Sequence, residues 1–297
     1  MTRAVVISNP HASRASRGLQ HALARLRAGG FSLDLVPTEE AGHGAELAQQ
    51  AIDDGAELVI AHGGDGTLMD IAPALVNTGR PLGIIPAGTG NRLAANLGIP
   101  NDPEAAAAII LAARSRPVDV GRMTTASSVR HFAVCGGIGF DAEMMVRTQR
   151  HHKRRYGMLA YVTTGIKLAM DMPIANVRVE ADGVVFEREA VIVLLANCGM
   201  IIPSGRALAP QIRLDDGVQD VIIIDARNFV EAGVMVWRLA TGTAAGKPGV
   251  TITRGHMVMI TAEPVMAAEA DGDPQGTTPV TSEMLSGALH VLAPPGW

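Results

Sequence analysis

The chain has 297 residues, the length of about two domains, with 47% hydrophobic and 18% charged residues, and its 25 Lys/Arg against 29 Asp/Glu leave a net charge of −4. That composition is too apolar for disorder and lacks the basic field that holds a nucleic-acid backbone, so nucleic acid is excluded as the expected partner. Cys135 and Cys198 stand far apart with no CxxC or Cys/His companion, which argues against a disulfide scaffold or zinc site, and neither a membrane-spanning apolar run nor a signal peptide is evident.

The first 125 residues alternate strand and helix signals. Ala4 to Ser8 reads as a buried strand ending at Asn9-Pro10. Gly18 to Ala28 carries Leu19, Leu23 and Leu26 at helical spacing, and Gly29-Gly30 closes it. Phe31 to Val36 is a second strand, Ala45 to Asp54 a helix, and Glu57 to Ala61 a third strand running into His62-Gly63-Gly64-Asp65-Gly66-Thr67. Leu68 to Asn77 is helical, Pro81 to Ile85 is a fourth strand leading into Pro86-Ala87-Gly88-Thr89-Gly90-Asn91, and Pro103 to Ala113 is a further helix. Such alternation predicts an α/β domain with a mostly parallel sheet.

Beyond residue 125 strands dominate: His131 to Cys135, Ala175 to Glu180, Ala190 to Ala196, Gln219 to Ile224, Val250 to Thr253 and Val258 to Thr261. Helices are expected around 142–169 and 229–241, and turns at Asp182-Gly183 and Asp216-Gly217 suit an antiparallel sandwich. The expected organisation is an α/β domain over 1–125, completed by 280–297, and a mainly-β sandwich domain over 126–279. Only 3% of residues are aromatic, while Gly (33) and Pro (17) are abundant, so aliphatic strands and glycine-rich loops carry the fold.

Two of those loops follow parallel strands, where ligands of α/β domains bind. Gly63, Gly64 and Gly66 lack Cβ atoms and let backbone N–H groups approach phosphate oxygens, and Thr67 adds a hydroxyl at a helix start whose dipole favours an anion. Asp65 would repel phosphate unless Mg²⁺ lay between them. The same residues also make an ordinary strand-to-helix turn. Gly88, Thr89, Gly90 and Asn91 repeat the logic; neither loop matches the Walker or GxGxxG pattern. Thr38, after the second strand, is either a nucleotide neighbour or a helix cap.

The ordered set of segments resembles the diacylglycerol kinase catalytic-domain family of bacterial lipid kinases, which includes sphingosine and ceramide kinases. It is carried by Asn9-Pro10, Gly63 to Thr67, Pro81 to Pro100, CGGIGFDAEMM from Cys135, KRRYGMLAYV from Lys153, LAPQIRLDDGVQDV from Leu208 and EADGDP from Glu269. The resemblance implies an NAD kinase/diacylglycerol kinase-like α/β fold and phosphorylation of a lipid hydroxyl by ATP with Mg²⁺, in phospholipid metabolism. Diacylglycerol leads as acceptor, ahead of sphingoid bases, ceramide and phosphatidylglycerol. Asn9, Pro10, Arg14, Thr38, Gly63, Gly64, Asp65, Gly66, Thr67, Gly88, Thr89 and Asn91 then fall at nucleotide-binding positions. Asp271 matches the family's general base, with Asp273 beside it in place of the usual Glu. A carboxylate in reach of an alcohol accepts its proton during attack, although Ala-Asp-Gly-Asp-Pro is equally good turn chemistry. Asp216, with the carbonyls of Arg213 and Val218, matches a structural Mg²⁺ site; a turn at Asp216-Gly217 needs no metal. The chain departs from the family at Ser13, where a glycine is usual, and at Arg92, where many relatives have Asp.

Arg147 to Tyr156 (RTQRHHKRRY) holds five Lys/Arg and two His in ten positions. It reads either as a solvated helix face or, over Arg147–Arg155, as a docking surface for anionic membrane. The expected location is cytoplasmic with transient membrane association. Oligomeric state is left open, a homodimer included. An NAD kinase lacks support because no NxGxxGF-type segment follows GGDGT, and a catalytically silent nucleotide or lipid sensor is the rival of another class.

Overall fold

The protein is described here by a computed structural model. It describes residues 2–13, 18–112, 114–139, 174–201, 212–226 and 248–295, with a few positions between 231 and 243. The chain divides into two compact units, Met1–Val120 with Ser286–Trp297, and Gly121–Leu285.

The first unit is built on β1 (Thr2–Ser8), β2 (Phe31–Pro37), β3 (Leu58–Gly63) and β4 (Pro81–Pro86), ordered β2-β1-β3-β4 and all parallel. The C-terminal half of β16 (Val280–Ala293) adds a parallel neighbour to β4 through His290 and Val291. β3 is buried along its whole length, as a central parallel strand with both faces covered must be. Of the covering helices, α1 (Leu19–Ala28) buries Leu19, Ala22, Leu23 and Leu26 on one stripe and ends at Gly29. α2 (His43–Asp53), α3 (Asp65–Leu75) and α5 (Pro103–Ala112) complete the alternation predicted for this region. The short α4 (Arg92–Asn96), in a stretch given no element from the sequence, was not anticipated.

The second unit is a sandwich of antiparallel sheets. One contains β8 (Ala175–Ala181), β9 (Val184–Ala190), β13 (Met257–Glu263) and the first half of β16. The other runs β12 (Val250–Gly255), β11 (Gln219–Ile224), β10 (Ile192–Ala196), β7 (Cys135–Gly139), β14 (Ala267–Ala270) and β15 (Asp273–Thr277). Their inner faces share one core, including Phe132, Ile138, Val177, Val179, Val193, Leu195, Val221, Ile223, Val258 and Ile260. β8 and β9 meet through Asp182 (φ 47) and Gly183 (φ 85), two left-handed residues whose twist suits a two-residue hairpin.

Two sequence expectations change here. The strand expected over His131 to Cys135 is split into β6 (Val129–Phe132) and β7 by a bend at Ala133-Val134. The run from Ala190 to Ala196 is likewise divided, Ala190 closing β9 and Ile192 opening β10. β5 (Arg114–Thr124) and the long β16 were not read from the sequence. The helix expected around 142–169, and the basic Arg147–Arg155 segment within it, lie outside the described residues. In the other expected helix, Glu231, Val234, Met235, Trp237 and Arg238 are helical.

Candidate functional site

The loops after β1, β3 and β4 emerge at the carboxyl ends of neighbouring parallel strands and bond to one another. The Ala87 N–H donates to the Gly63 carbonyl over 2.7 Å. Asn9 Nδ2 donates to Thr67 Oγ1 (3.2 Å), and Asn9 Oδ1 accepts from the His11 N–H (2.9 Å), fixing the first loop as an Asx turn. Ser13, the departure from the family pattern, stands with its hydroxyl 3.2 Å from that of Thr89 and 3.4 Å from the Ala87 carbonyl. Its side chain therefore ties the first loop to the third. The Thr38 N–H donates to the Ser8 carbonyl (2.8 Å) beside the same strand end. Thus Asn9, Thr38, Gly63, Thr67, Thr89 and Asn91 belong to one connected loop cluster; Pro10 lies in its first turn, and Arg14 lies outside the described residues.

The glycines do two different jobs. A methyl group at Gly63 would lie 2.3 Å from Thr67 Oγ1, and one at Gly88 would lie 2.5 Å from the Gly64 Cα. One at Gly90 would meet Asp65 Oδ2 at 2.9 Å. Gly88 and Gly90, with Gly64, let the loops pack onto each other, and Gly63 makes room for Thr67 of its own loop. Gly66 is different: a Cβ there meets nothing within 4 Å, so space lies open beside the first turn of α3.

Asp65 and Asn91 have roles the sequence did not reveal. Asp65 Oδ1 accepts the Leu93 N–H (3.2 Å), capping α4 from another loop. Asn91, buried and left-handed (φ 50), accepts the Gly88 N–H and donates to the Gly88 carbonyl, both at 3.0 Å, and donates to Asn101 Oδ1 at 2.6 Å. His62, immediately before the glycines, is fully buried, with Nδ1 2.8 Å from the Ser8 hydroxyl and no partner for Nε2 among the described residues. Burial lowers its pKa, since a charged imidazolium would lose its water.

In the second unit, Asp271 sits left-handed (φ 50) in the turn between β14 and β15. Its Oδ2 accepts the Ala133 N–H (2.7 Å), and its Oδ1 accepts those of Val134 (3.0 Å) and Cys135 (2.8 Å). This explains the bend that splits β6 from β7: the amides turn onto a carboxylate instead of a strand. The bend's carbonyls are served from the other side, Asn197 Nδ2 donating to the Ala133 oxygen (2.9 Å) and the Asn197 N–H to that of Val134 (3.0 Å). Three backbone N–H donors fix the carboxylate's position. Asp273, expected beside it, is engaged by Arg130 Nη2 at 2.8 Å, a half-exposed ion pair. Glu269 was overlooked: it is buried on β14, its Oε2 accepts the Gly272 N–H (2.5 Å), and Gly137 opposite leaves room for its head. The E-x-x-G spacing of Glu269 and Gly272 was the available signal.

At the residues expected to hold Mg²⁺, the Asp216 carboxylate is already engaged by protein groups. Asp216 Oδ2 is bonded to Arg254 Nη2, while Oδ1 accepts the Val218 N–H at 3.4 Å. Arg213 turns its guanidinium onto Asp215 (2.9 and 3.0 Å). No group of three or more His, Cys, Asp or Glu suited to a metal ion occurs among the described residues. A cation is already present at Asp216, and it is an arginine.

Residues 3–123 match the diacylglycerol kinase catalytic domain family, and residues 135–293 match the YegS C-terminal NAD kinase beta sandwich-like domain family. A diacylglycerol kinase of Staphylococcus aureus is 29% identical over 296 residues, covering 98% of this chain and 92% of that protein. An uncharacterized protein of Synechocystis is 31% identical over 250 residues, 83% of this chain; the match spans only 57% of that relative. A solved structure from Bacillus anthracis, of a proposed diacylglycerol kinase, superposes with a TM-score of 0.79 at 25% identity, covering 99% and 98% of the two chains.

Proposed function

Because the chain belongs to the diacylglycerol kinase catalytic-domain family of lipid kinases, we propose that it transfers the γ-phosphate of Mg-ATP to a lipid hydroxyl, diacylglycerol first. The observation that carries the nucleotide half is the pair of loops Gly63–Thr67 and Ala87–Asn91, packed backbone to backbone with open space beside Gly66 at the start of α3. Phosphate oxygens suit that place: backbone N–H groups and a helix N-terminus favour an anion without demanding a basic side chain. Asn9, Ser13 and Thr89 line the same cluster with polar atoms. Mg²⁺ would enter with the nucleotide, neutralising the phosphates.

For the acceptor half, Asp271 is assigned to the lipid hydroxyl. Three N–H donors hold its carboxylate rigidly. In phosphoryl transfer the bond to the leaving group loosens early and the hydroxyl proton departs late, so aiming the hydroxyl matters more than strong basicity. Asp273 supports that turn through Arg130 rather than contacting the acceptor. No helix among the described residues is long and apolar enough to cross a membrane. Contact with the lipid phase is assigned to the basic Arg147–Arg155 segment, each basic residue near anionic lipid contributing about 1 kcal/mol.

The test is an acceptor panel: purified protein, radiolabelled ATP and Mg²⁺ with vesicles containing diacylglycerol, a sphingoid base, ceramide or phosphatidylglycerol. Label entering diacylglycerol fastest supports the assignment. Label entering another lipid first corrects the acceptor, and none entering any lipid overturns the transfer.

A further inference from the structure

Arg254 stands on β12 directly opposite Asp220 of β11, a cross-strand pair fixed by the sheet register. From there its guanidinium reaches two carboxylates. Nη2 bonds Asp216 Oδ2, in the bend that precedes β11, and Nε lies 3.4 Å from Asp220 Oδ1. Asp220 is 1% exposed, and its Oδ1 has no hydrogen-bond partner among the described residues, so a nearby positive charge is what makes its burial tolerable. The neighbouring acid does not compete, since Asp215 is occupied by Arg213. The bend itself is held from β13's side by the His256 ring, Nδ1 lying 3.3 Å from the Gly217 carbonyl.

We propose that the Arg254 guanidinium is a tethered counter-ion that replaces a bound divalent cation at the Asp216–Asp220 pair, so that this unit folds independently of Mg²⁺. A divalent ion needs several oxygens converging at about 2.0–2.6 Å, and here the donor-rich guanidinium already occupies the approach to Asp216. Its planar, delocalised guanidinium bonds Asp216 through Nη2 while Nε stays within ion-pair reach of Asp220. Being covalently attached, it saturates the pair at any free metal concentration. Removing it leaves two acids facing one another with a backbone bend alongside, the oxygen-rich setting a hard cation fills.

The experiment is done on the full chain without nucleotide, so its outcome is separate from that of the kinase assignment. Thermal unfolding is followed in EDTA and in excess Mn²⁺, and bound Mn²⁺ is counted by electron paramagnetic resonance. The wild-type protein is expected to melt at the same temperature in both and to bind no Mn²⁺. Arg254→Ala is expected to melt about 3–6 °C lower in EDTA, to bind one Mn²⁺ and to regain part of the loss. Asp216→Asn/Arg254→Ala should show the loss without the rescue. If Arg254→Ala is insoluble in both buffers, Arg254→Gln takes its place. The proposal is overturned if the wild-type chain binds Mn²⁺ in a manner that Asp216→Asn abolishes, or if the soluble arginine variant binds none.

Discussion

Gly88→Ala and Gly66→Ala separate the two jobs of glycine in the nucleotide loops. Neither residue has a left-handed φ, so alanine adds no torsional strain and the effect is set by what the methyl meets. At position 88 it meets the Gly64 Cα at 2.5 Å and Asn91 Oδ1 at 2.8 Å, both below van der Waals contact, and the first is backbone that cannot rotate away. The two loops must part, and Asn91 loses its grip on the Gly88 N–H. Overpacking of this kind costs about 1–3 kcal/mol. For a unit of this size that is a melting loss of about 3–12 °C. At position 66 the methyl meets nothing. Alanine there leaves the melting temperature unchanged or slightly raises it, through the lower entropy of the unfolded chain. It nevertheless fills the space assigned to phosphate, and ATP affinity is expected to fall about tenfold or more, a loss of about 1.4 kcal/mol or greater. Circular dichroism melts and ATP titrations on both variants provide the test. Equal destabilisation by the two, or ATP binding unchanged in Gly66→Ala, would refute the division of roles.

Asp271→Asn presents an amide to three backbone N–H donors, so one must lose its acceptor at about 1–3 kcal/mol; melting is expected to drop together with transfer, and unchanged melting would contradict the geometry. Asp65→Asn keeps an oxygen for the Leu93 N–H and should melt like wild type, whereas Asp65→Ala should lose about 1 kcal/mol; equal melts would show that the cap is immaterial. His62 has a lowered folded pKa, so the unfolded chain takes up the extra proton and stability falls as pH drops below about 6.5, levelling off below the folded pKa. Denaturant midpoints between pH 5 and 7 should lose that slope in His62→Gln, and an unchanged slope would count against it. Charge reversal at Lys153, Arg154 and Arg155 should abolish salt-sensitive binding to anionic vesicles; binding that survives removes the membrane role.

The α/β rhythm was legible because a parallel sheet writes itself as short aliphatic runs between helical stripes, and β3 is buried throughout. The split at Ala133-Val134 was not, since nothing within that apolar run announces that its amides bind an aspartate more than 130 positions later. β5 and β16 escaped for a related reason: each carries polar residues whose partners are remote, such as Asp119 accepting the Gly287 N–H at 2.7 Å. The glycine loops were legible as strand-end loops, but the separate surroundings of their glycines were not. Their spacing suggested uniform approach to phosphate, whereas Gly63, Gly88 and Gly90 answer to neighbouring atoms and Gly66 alone faces open space. At Asp216 the turn motif was readable and its arginine partner was not, because Arg254 lies on a strand 38 positions away.

Lipid phosphorylation is tested most directly by transfer of label from γ-labelled ATP to lipid by the purified wild-type chain, with a total lipid extract as acceptor and Gly66→Ala as the control that keeps its fold. A phosphorylated lipid is expected from the wild-type protein and little from the variant at ATP concentrations below the wild-type affinity. ATP bound or hydrolysed by the wild-type chain with no lipid labelled would contradict it.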